Sequence, residues 1–140
     1  MFVITFKVDG IPVPKARPRF TKVGNFVQTY TPKKTADWEE TVRWMAKGAM
    51  GPTDLLETPL SLALYFRLPT PKSWSKKRTE AEISGSGPIV KPDFDNLAKA
   101  VCDALNGVIY KDDSQIVSAH IRKVYSAVPG VDIFVSEYLV

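Results

Sequence analysis

Leu60 to Leu68 is apolar at nearly every position, and this short run constrains the fold more than any other segment. It ends at Pro69 and has the length of a buried strand rather than of a membrane span. A strand that is apolar in both side-chain directions is usually covered on both faces. The sequence therefore predicts a layered fold in which this strand lies inside a sheet.

The segments on either side of this run predict further strands. Residues 2–8 alternate between apolar and polar side chains, which is the period of a half-buried strand. Residues 115–125 and 131–138 predict two strands joined by a turn at Pro129-Gly130. A short hairpin is expected around Gly24-Asn25, after a basic segment whose prolines exclude long regular structure.

Two longer helices complete the pattern. The first is expected to begin at Thr31-Pro32, where a hydroxyl cap precedes a proline, and to end at Gly51-Pro52. The second is expected over residues 95–106, where Asp95 is a natural N-cap. The sequence also allows a short helix over residues 75–83.

The order of these elements predicts an α/β or α+β fold, with a small mixed β-sheet and two main helices packed on it. The chain of 140 residues is expected to form a single domain over residues 1–140, because domains commonly contain about 100–200 residues. Residues 70–92 are rich in lysine, serine and glycine, and we expect them to form a flexible basic loop.

Several classes of protein are excluded by composition. A single cysteine, Cys102, excludes an internal disulfide, and a single histidine, His120, excludes a histidine-rich zinc site within one chain. No apolar run approaches the ~20 residues of a membrane-spanning helix, and the first residues lack the features of a signal peptide. We therefore expect a cytoplasmic protein with no membrane partner.

Charge is distributed unevenly along the chain. The formal net charge is +4, which favours an anionic partner such as nucleic acid. Residues 1–35 hold seven basic residues and one acidic residue, whereas residues 92–113 hold five acidic and two basic residues. An acidic patch within a basic chain indicates that this patch has a chemistry of its own.

The second helix separates its charged and apolar residues onto different faces. Its charged stripe has the spacing i, i+4, i+8 and consists of Asp95, Lys99 and Asp103. Its apolar stripe lies two residues, or about 200°, away and consists of Leu97, Val101 and Leu105. If the apolar stripe packs on the core, the charged stripe faces solvent or a cleft.

Acidic residues near this helix have the pattern of a site for a hard cation. Asp93 and Asp95 are two residues apart, so an extended turn directs both carboxylates to one side. Asp112-Asp113 follows a glycine-containing turn and can bring a third carboxylate to the same place. Carboxylates without nitrogen or sulfur ligands favour Mg²⁺ or Mn²⁺, which can activate water for phosphodiester cleavage. Lys99 can add positive charge beside the phosphate.

Each of these signals also has an ordinary structural explanation. Asp-x-Asp followed by a lysine is common at helix starts, where the helix dipole favours carboxylates. Asp112-Asp113 alone is typical of a turn, and Asp103 is typical of a helix-face partner of Lys99. It is the combination of signals that favours a metal-dependent site.

The combined pattern resembles a known family. The segments that carry it are Pro92-Asp93-Phe94-Asp95-Asn96-Leu97 with Lys99, Asp103-Ala104-Leu105-Asn106, and Asp112-Asp113 with Gln115-Ile116-Val117. Together they closely resemble the RusA family of Holliday junction resolvases. A weaker resemblance extends to residues 12–19 and to Tyr30-Thr31-Pro32. Pro92 departs from the pattern, because some members carry a basic residue there.

The resemblance implies a homodimeric, Mg²⁺-dependent endonuclease that cuts four-way junctions symmetrically, and we expect it to act in DNA recombination and repair. Because carboxylate ligands also suit Mn²⁺, we expect Mn²⁺ to be able to substitute for Mg²⁺. It assigns metal binding to Asp93, Asp95 and Asp113, which are catalytic together with Lys99. Asp112 corresponds to a neighbouring, supportive acid, and the short turn before it allows this assignment to shift by one residue. Two alternatives remain open: a Mg²⁺-dependent nuclease of lower structural specificity that acts on flaps or forks, and a non-catalytic basic DNA-binding protein.

Basic residues outside the acidic centre are candidates for contacts with DNA phosphates, which supply most of the affinity for nucleic acids. The expected contacts are Lys15, Arg17, Arg19, Lys72, Lys76, Lys77 and Arg78. The alternative is a solvated basic surface. Phe20 and Phe26 are expected to pack in the core, whereas Trp74 lies in a polar loop and is the better candidate for a contact with DNA bases.

Overall fold

The computed structural model describes residues 3–16, 19–85 and 87–139. These residues form a mixed α+β fold with the elements β1 (Val3–Asp9), β2 (Arg19–Val23), β3 (Phe26–Tyr30), α1 (Lys33–Met50), β4 (Leu60–Leu68), α2 (Lys76–Ile83), α3 (Phe94–Leu105), β5 (Ile116–Tyr125) and β6 (Gly130–Glu137). A short 3-10 helix, Asp113–Gln115, precedes β5. The predicted mixed sheet with helices packed on it is confirmed. None of the helices in these three ranges is long and apolar enough to cross a membrane.

Four strands form the main sheet in the order β1-β6-β4-β5. β4 runs parallel to β5 and antiparallel to β6, and β1 is antiparallel to β6. A parallel pair needs a long crossover connection, and the one between β4 and β5 carries α2 and α3. This crossover brings α3 beside the first half of β5, where Asp95 and Asp113 line one pocket.

β4 is fully buried on one face only. Leu60, Leu62 and Leu64 are buried, whereas the residues between them are half-buried. The expectation of full cover on both faces is wrong, because the buried side chains of α1 and α3 join a single core on the leucine face. On the opposite face, Tyr65 instead makes ring contacts with its strand neighbours His120 and Phe134.

α1 begins one residue later than the sequence suggests. Its N-cap is Pro32 rather than Thr31, and the Pro32 carbonyl accepts a hydrogen bond from the amide of Ala36 at 3.0 Å. Its buried stripe includes Trp38, Val42, Ala46 and Met50. The helix ends at Met50 and is followed by its C-cap, Gly51, whose φ of 53° is readily adopted by glycine.

α3 packs on the core with the predicted stripe. Leu97, Val101 and Leu105 are 0% exposed, so the charged stripe on the other side of the helix faces outward. The N-cap is Asp93, and Asp95 lies in the first turn, so the prediction that Asp95 caps the helix is wrong. Asp93 makes no capping hydrogen bond through its side chain. Its carboxylate is therefore not used to satisfy the helix backbone.

β2 and β3 form a separate two-stranded hairpin around Gly24-Asn25, as predicted. Gly24 has a φ of 61°, which suits the tight turn. The side chains of Phe20 and Phe26 are 72% and 75% exposed, respectively. The prediction that they pack in the core is wrong, because among the described residues the two strands of the hairpin pair with each other and not with the main sheet.

Residues 70–92, expected to form a loop, contain α2, and the short helix that the sequence allows over residues 75–83 is confirmed. Ser75 caps this helix, and its Oγ accepts a hydrogen bond from the amide of Arg78 at 3.1 Å. The Trp74 ring packs edge-on against Tyr125 with a centroid distance of 5.1 Å, and the Arg78 guanidinium lies 4.3 Å above Trp74. These contacts fix the start of α2 to the end of β5.

Candidate active site

A pocket of about 360 Å³ lies between α3 and the first half of β5. It brings together three of the four side chains that the sequence assigns to catalysis: Asp95, Lys99 and Asp113. The rest of its lining is mainly apolar and comes from Leu62, Phe94, Ala98, Cys102, Ile116, Ala119 and Ile121. Two carboxylates and one ammonium group thus share a small cleft above the core.

The turn before β5 distinguishes Asp112 from Asp113. Asp112 is the N-cap of the 3-10 helix, and its Oδ2 accepts a hydrogen bond from the amide of Ser114 at 3.0 Å. The hydrogen bonds from Ser114 hold the pKa of Asp112 below its ordinary value. Asp113 is half-buried and lines the pocket. The carboxylate of Asp112 is therefore bound to the turn, whereas Asp113 belongs to the pocket.

Gln115 fastens this turn to the segment before β4. Its Nε2 donates to the carbonyls of Leu56 at 2.8 Å and Thr58 at 3.2 Å, while its Oε1 accepts from the amide of Asp112 at 3.2 Å. Sequence reasoning used Gln115 only for the family resemblance and missed this anchoring role. The available signal was the capping-box pattern, in which a capping acid is followed three residues later by glutamine.

Asp93 lies outside that pocket. It lines a neighbouring groove with Pro12, Pro14, Lys15, Lys91, Pro92 and Asn96. Its Oδ2 accepts a hydrogen bond from Lys91 Nζ at 2.9 Å. Within the described ranges, no three Asp, Glu, His or Cys side chains are grouped closely enough to hold a metal ion. The structure therefore brings Asp95 and Asp113 together and leaves Asp93 beside Lys91.

Lys123 on β5 supports the loop in front of Asp93. Its Nζ donates to the carbonyl of Val90 at 2.9 Å and to that of Pro92 at 3.0 Å. Sequence reasoning missed this residue, because a single lysine in a strand has no pattern that indicates a partner about 30 residues away. The contact fixes the loop that leads into α3.

Lys15, which the sequence assigns to DNA binding, is engaged within the protein. Its Nζ lies 2.6 Å from Glu39 Oε1 and 3.1 Å from Asp103 Oδ2. Burial alone would lower the pKa of Lys15, but the hydrogen bonds to Glu39 and Asp103 outweigh burial and raise it. The same oxygen of Asp103 lies 3.7 Å from Lys99 Nζ. Lys15 is thus joined to the charged stripe of α3.

The wall of the pocket also contains a thiol. Burial raises the pKa of Cys102 to about 11, so the group stays protonated at neutral pH. The Tyr110 hydroxyl donates to the Cys102 carbonyl at 2.9 Å, and burial also raises the pKa of Tyr110. Neither group is suited to act as a nucleophile.

The remaining predicted DNA contacts lie on two peripheral regions. An exposed basic group precedes and begins α2 and consists of Lys72, Lys76, Lys77 and Arg78. Arg17 lies outside the described residues, and Arg19 begins β2. A groove of about 480 Å³ passes from Lys72 along Pro69 and Pro71 to Lys91-Pro92. There it adjoins the groove that Asp93 lines.

The donor chemistry of the pocket suits a hard divalent cation. Mg²⁺ is usually held by one or two carboxylates and takes waters or phosphate oxygens for its other positions. Asp95 and Asp113 supply two such carboxylates, and the nearby thiol is kept neutral. Asp93 lies two residues from Asp95 at the same end of α3. These residues fit Mg²⁺ better than they fit a zinc site, which would need nitrogen or sulfur ligands.

Comparison with known proteins assigns the chain to a family. Residues 9–136 match the family model described as endodeoxyribonuclease RusA. A protein of Bacillus subtilis (strain 168), named uncharacterized protein YqaN, is 38% identical over 140 residues, which cover 98% of each chain. The family match includes the pocket, the adjoining grooves and α2. The chain therefore belongs to the RusA endodeoxyribonuclease family.

Proposed function

We propose that this protein is a Mg²⁺-dependent endodeoxyribonuclease that resolves Holliday junctions by symmetric phosphodiester cleavage in DNA recombination and repair. Membership of the RusA family supports the nuclease class. The single observation that carries the proposal is the meeting of Asp95, Lys99 and Asp113 in one pocket at the edge of the core. Action on genomic DNA fits the cytoplasmic location expected from the sequence.

Asp95 and Asp113 would hold the metal, with Asp93 as a third ligand. The Asp93 carboxylate is available for this role, because it makes no capping bond and its ion pair is with a largely exposed lysine, Lys91. Exposed ion pairs of this kind contribute little free energy, so a divalent cation can replace Lys91 as the partner of Asp93. Bound Mg²⁺ would supply water activation and stabilisation of the charge that develops on the phosphate.

Lys99 supplies a positive charge to the same pocket. Its side chain is 61% exposed and lies one helical turn from Asp95. A phosphate in this cleft would have the ammonium group beside it and would be attracted by its charge. We assign Lys99 the stabilisation of the negative charge on the phosphate during cleavage.

DNA would approach the pocket along the two adjoining grooves. Lys72 stands at one end of this path and Asp93 at the other, with Lys91 between them. The exposed Lys76, Lys77 and Arg78 on α2 extend the basic surface at the Lys72 end, and Arg19 begins β2 of the hairpin. Arg17, two residues earlier in the sequence, is proposed with Arg19. Phosphate contacts from such residues fix the register of DNA and supply affinity.

Symmetric cutting implies two sites related by a two-fold axis. A homodimer meets this need, because each protomer contributes one pocket and a four-way junction presents equivalent strands to both. Lower structural specificity, with cutting of flaps or forks, is the alternative within the same class. A non-catalytic basic DNA-binding protein is the alternative outside it.

Cleavage assays on matched substrates separate these functions. A four-way junction, a fork and a linear duplex of the same sequence are each incubated with the protein in Mg²⁺ and in EDTA. We expect paired, symmetric nicks in the junction only, and only in Mg²⁺. Equal cutting of all three substrates would establish the less specific nuclease. Tight junction binding without nicks in Mg²⁺ or Mn²⁺ would establish the non-catalytic protein.

A further inference from the structure

Four charged side chains form a connected network behind the pocket. Lys15 Nζ bridges Glu39 Oε1 at 2.6 Å and Asp103 Oδ2 at 3.1 Å, and the same Asp103 oxygen lies 3.7 Å from Lys99 Nζ. The side chains of Lys15, Glu39 and Asp103 are 17%, 13% and 24% exposed, whereas that of Lys99 is 61% exposed. The network therefore runs from a half-buried cluster to the open pocket.

The segment that carries Lys15 is fixed by its backbone as well. The Lys15 amide donates to the carbonyl of Asn96 in the first turn of α3 at 2.8 Å. Thr35 Oγ1, at the start of α1, lies 3.4 Å from the carbonyl of Pro14. Lys15 is thus held between two helices, and its ammonium group faces carboxylates rather than solvent. This geometry suits a structural counter-ion better than a residue that contacts a DNA phosphate.

We propose that Asp103 is a positioning residue for Lys99 and that Lys15 holds Asp103 in place. The inference rests on the proposed function, since it concerns the lysine assigned to charge stabilisation. A lysine side chain has many rotamers, and ordering it costs about 2 kcal/mol of conformational free energy. The Asp103 carboxylate, one helical turn away, limits the directions in which the Lys99 ammonium group points. Part of the conformational free energy of ordering Lys99 is therefore lost before the DNA binds.

Lys15 explains why Lys99 is oriented without being neutralised. The shorter contact of Asp103 is with Lys15, and the longer one is with Lys99. Without Lys15, Asp103 would keep only its ion pair with Lys99 among the contacts of the described residues. Lys99 would then be drawn towards Asp103 and away from the phosphate. Loss of Lys15 therefore lowers turnover without removing a contact with DNA.

A double-mutant cycle tests whether Asp103 acts through Lys99. Single-turnover cleavage of a four-way junction is measured for Asp103→Asn in the wild-type and in the Lys99→Met background, and junction affinity is measured for all variants. In the wild-type background we expect a 10- to 100-fold lower cleavage rate, about the effect of misplacing a catalytic group. In the Lys99→Met background we expect no further loss, because the positioned group is absent. In either background, Asp103→Asn changes junction affinity by no more than about twofold.

Three further variants complete the test. Asp103→Glu restores part of the rate, since a carboxylate remains within reach of both lysines. Lys15→Met lowers the rate while leaving junction affinity and its salt dependence unchanged. The control, Asp37→Asn, removes a comparable helix pair with Lys33 at 2.7 Å on α1, and we expect it to cleave at the wild-type rate.

Several results would overturn the proposal. One is an equal loss from Asp103→Asn in both backgrounds, and another is a wild-type rate for Asp103→Asn. Weaker junction binding and a smaller salt slope for Lys15→Met would return Lys15 to the DNA contacts. If Asp103→Asn does not fold, the cycle is run with Asp103→Glu, and full additivity in that cycle would equally overturn the positioning role. Failure of the wild-type protein to cut any junction would instead contradict the proposed function.

Discussion

The pocket proposed to cut DNA and the hairpin, whose first strand begins at Arg19, are built differently. The pocket stands on α3, whose inner stripe is 0% exposed, and on a turn that Gln115 fastens to the segment before β4. The hairpin forms a sheet of its own, and every residue of β3 is exposed. Because bond cleavage needs fixed distances while phosphate contacts tolerate adjustment, we interpret this difference as a division of roles between a rigid centre and an adaptable periphery.

The largest expected effect comes from the rigid centre. Asp113→Asn should lower junction cleavage by at least about 100-fold, because it removes a proposed metal ligand, while junction binding stays within several-fold. The matched control is Asp112→Asn, which weakens a cap on the turn but leaves the pocket carboxylates intact. Single-turnover cleavage and gel-shift binding of both variants measure this. The opposite order of losses would move the metal ligand to Asp112.

Asp93→Asn tests whether the proposed metal site includes a carboxylate from outside the pocket. Asp93 faces Lys91 in the neighbouring groove, so a role in metal binding requires that it exchange this partner. We expect a loss of cleavage of about 10- to 100-fold with little change in junction binding. Cleavage of junctions in Mg²⁺ is the measurement, with Lys91→Met as the matched control for the broken ion pair. Wild-type activity of Asp93→Asn would restrict the site to Asp95, Lys99 and Asp113.

Changes in the hairpin are expected to weaken junction binding without affecting stability. Phe20→Ser and Phe26→Ser should each weaken junction binding by about tenfold, because exposed aromatic rings that stack on bases contribute about 1–3 kcal/mol each. Neither change should alter the melting temperature, since both rings are largely exposed. Trp38→Ala is the contrast, because Trp38 is 7% exposed and its loss should cost about 3–5 kcal/mol of stability. Unchanged junction affinity in both phenylalanine variants would remove the hairpin from the DNA-binding surface.

Loss of the basic residues on α2 should weaken DNA binding less than loss of the aromatic rings, and it should change how the affinity depends on salt concentration. The Lys76→Ala/Lys77→Ala pair is expected to reduce affinity several-fold for all DNA sequences and to reduce the slope of log affinity against log salt by about 1 for each lost phosphate contact. Affinity measured at several salt concentrations gives this slope. Lys47→Ala, an exposed lysine in the last turn of α1, is the control. An unchanged slope in the α2 variant would identify its lysines as solvated surface.

The smallest effect concerns the wall of the pocket. With a pKa of about 11, Cys102 has little thiolate at pH 8 and should react with a disulfide reagent far more slowly than a free cysteine does. Because the raised pKa favours the thiol, the rate should rise steeply only above pH 10. Absorbance of the released thiolate follows the reaction. A rate at pH 8 equal to that of free cysteine would mean that this wall is open to solvent.

Sequence patterns were sufficient for elements whose periodicity is governed by one core. The stripe of Leu97, Val101 and Leu105 predicts both the helix and its buried face, because helical spacing and burial act on the same residues. The hairpin could be predicted from Gly24-Asn25, but the exposure of Phe20 and Phe26 could not. Hydrophobicity indicates that a side chain is stable when buried and does not say whether a core is within reach.

The meeting of Asp95, Lys99 and Asp113 in one pocket was predictable only in part. Spacing along α3 places Asp95 and Lys99 on one face of the helix, whereas Asp113 reaches them because β5 packs beside α3. The separation of Asp93 and the engagement of Lys15 depend on single side-chain directions and on partners distant in sequence, such as Glu39. No pattern within a short window carries that information.

The proposed function depends above all on the pocket carboxylates holding a divalent cation. Electron paramagnetic resonance of Mn²⁺ added to the DNA-free protein measures this binding. The wild type, the Asp112→Asn variant and an Asp95→Asn/Asp113→Asn double variant are compared at equal concentration. We predict that the wild type and Asp112→Asn bind Mn²⁺ alike and that the folded double variant does not. Equal Mn²⁺ binding by the double variant would mean that Asp95 and Asp113 do not hold the cation.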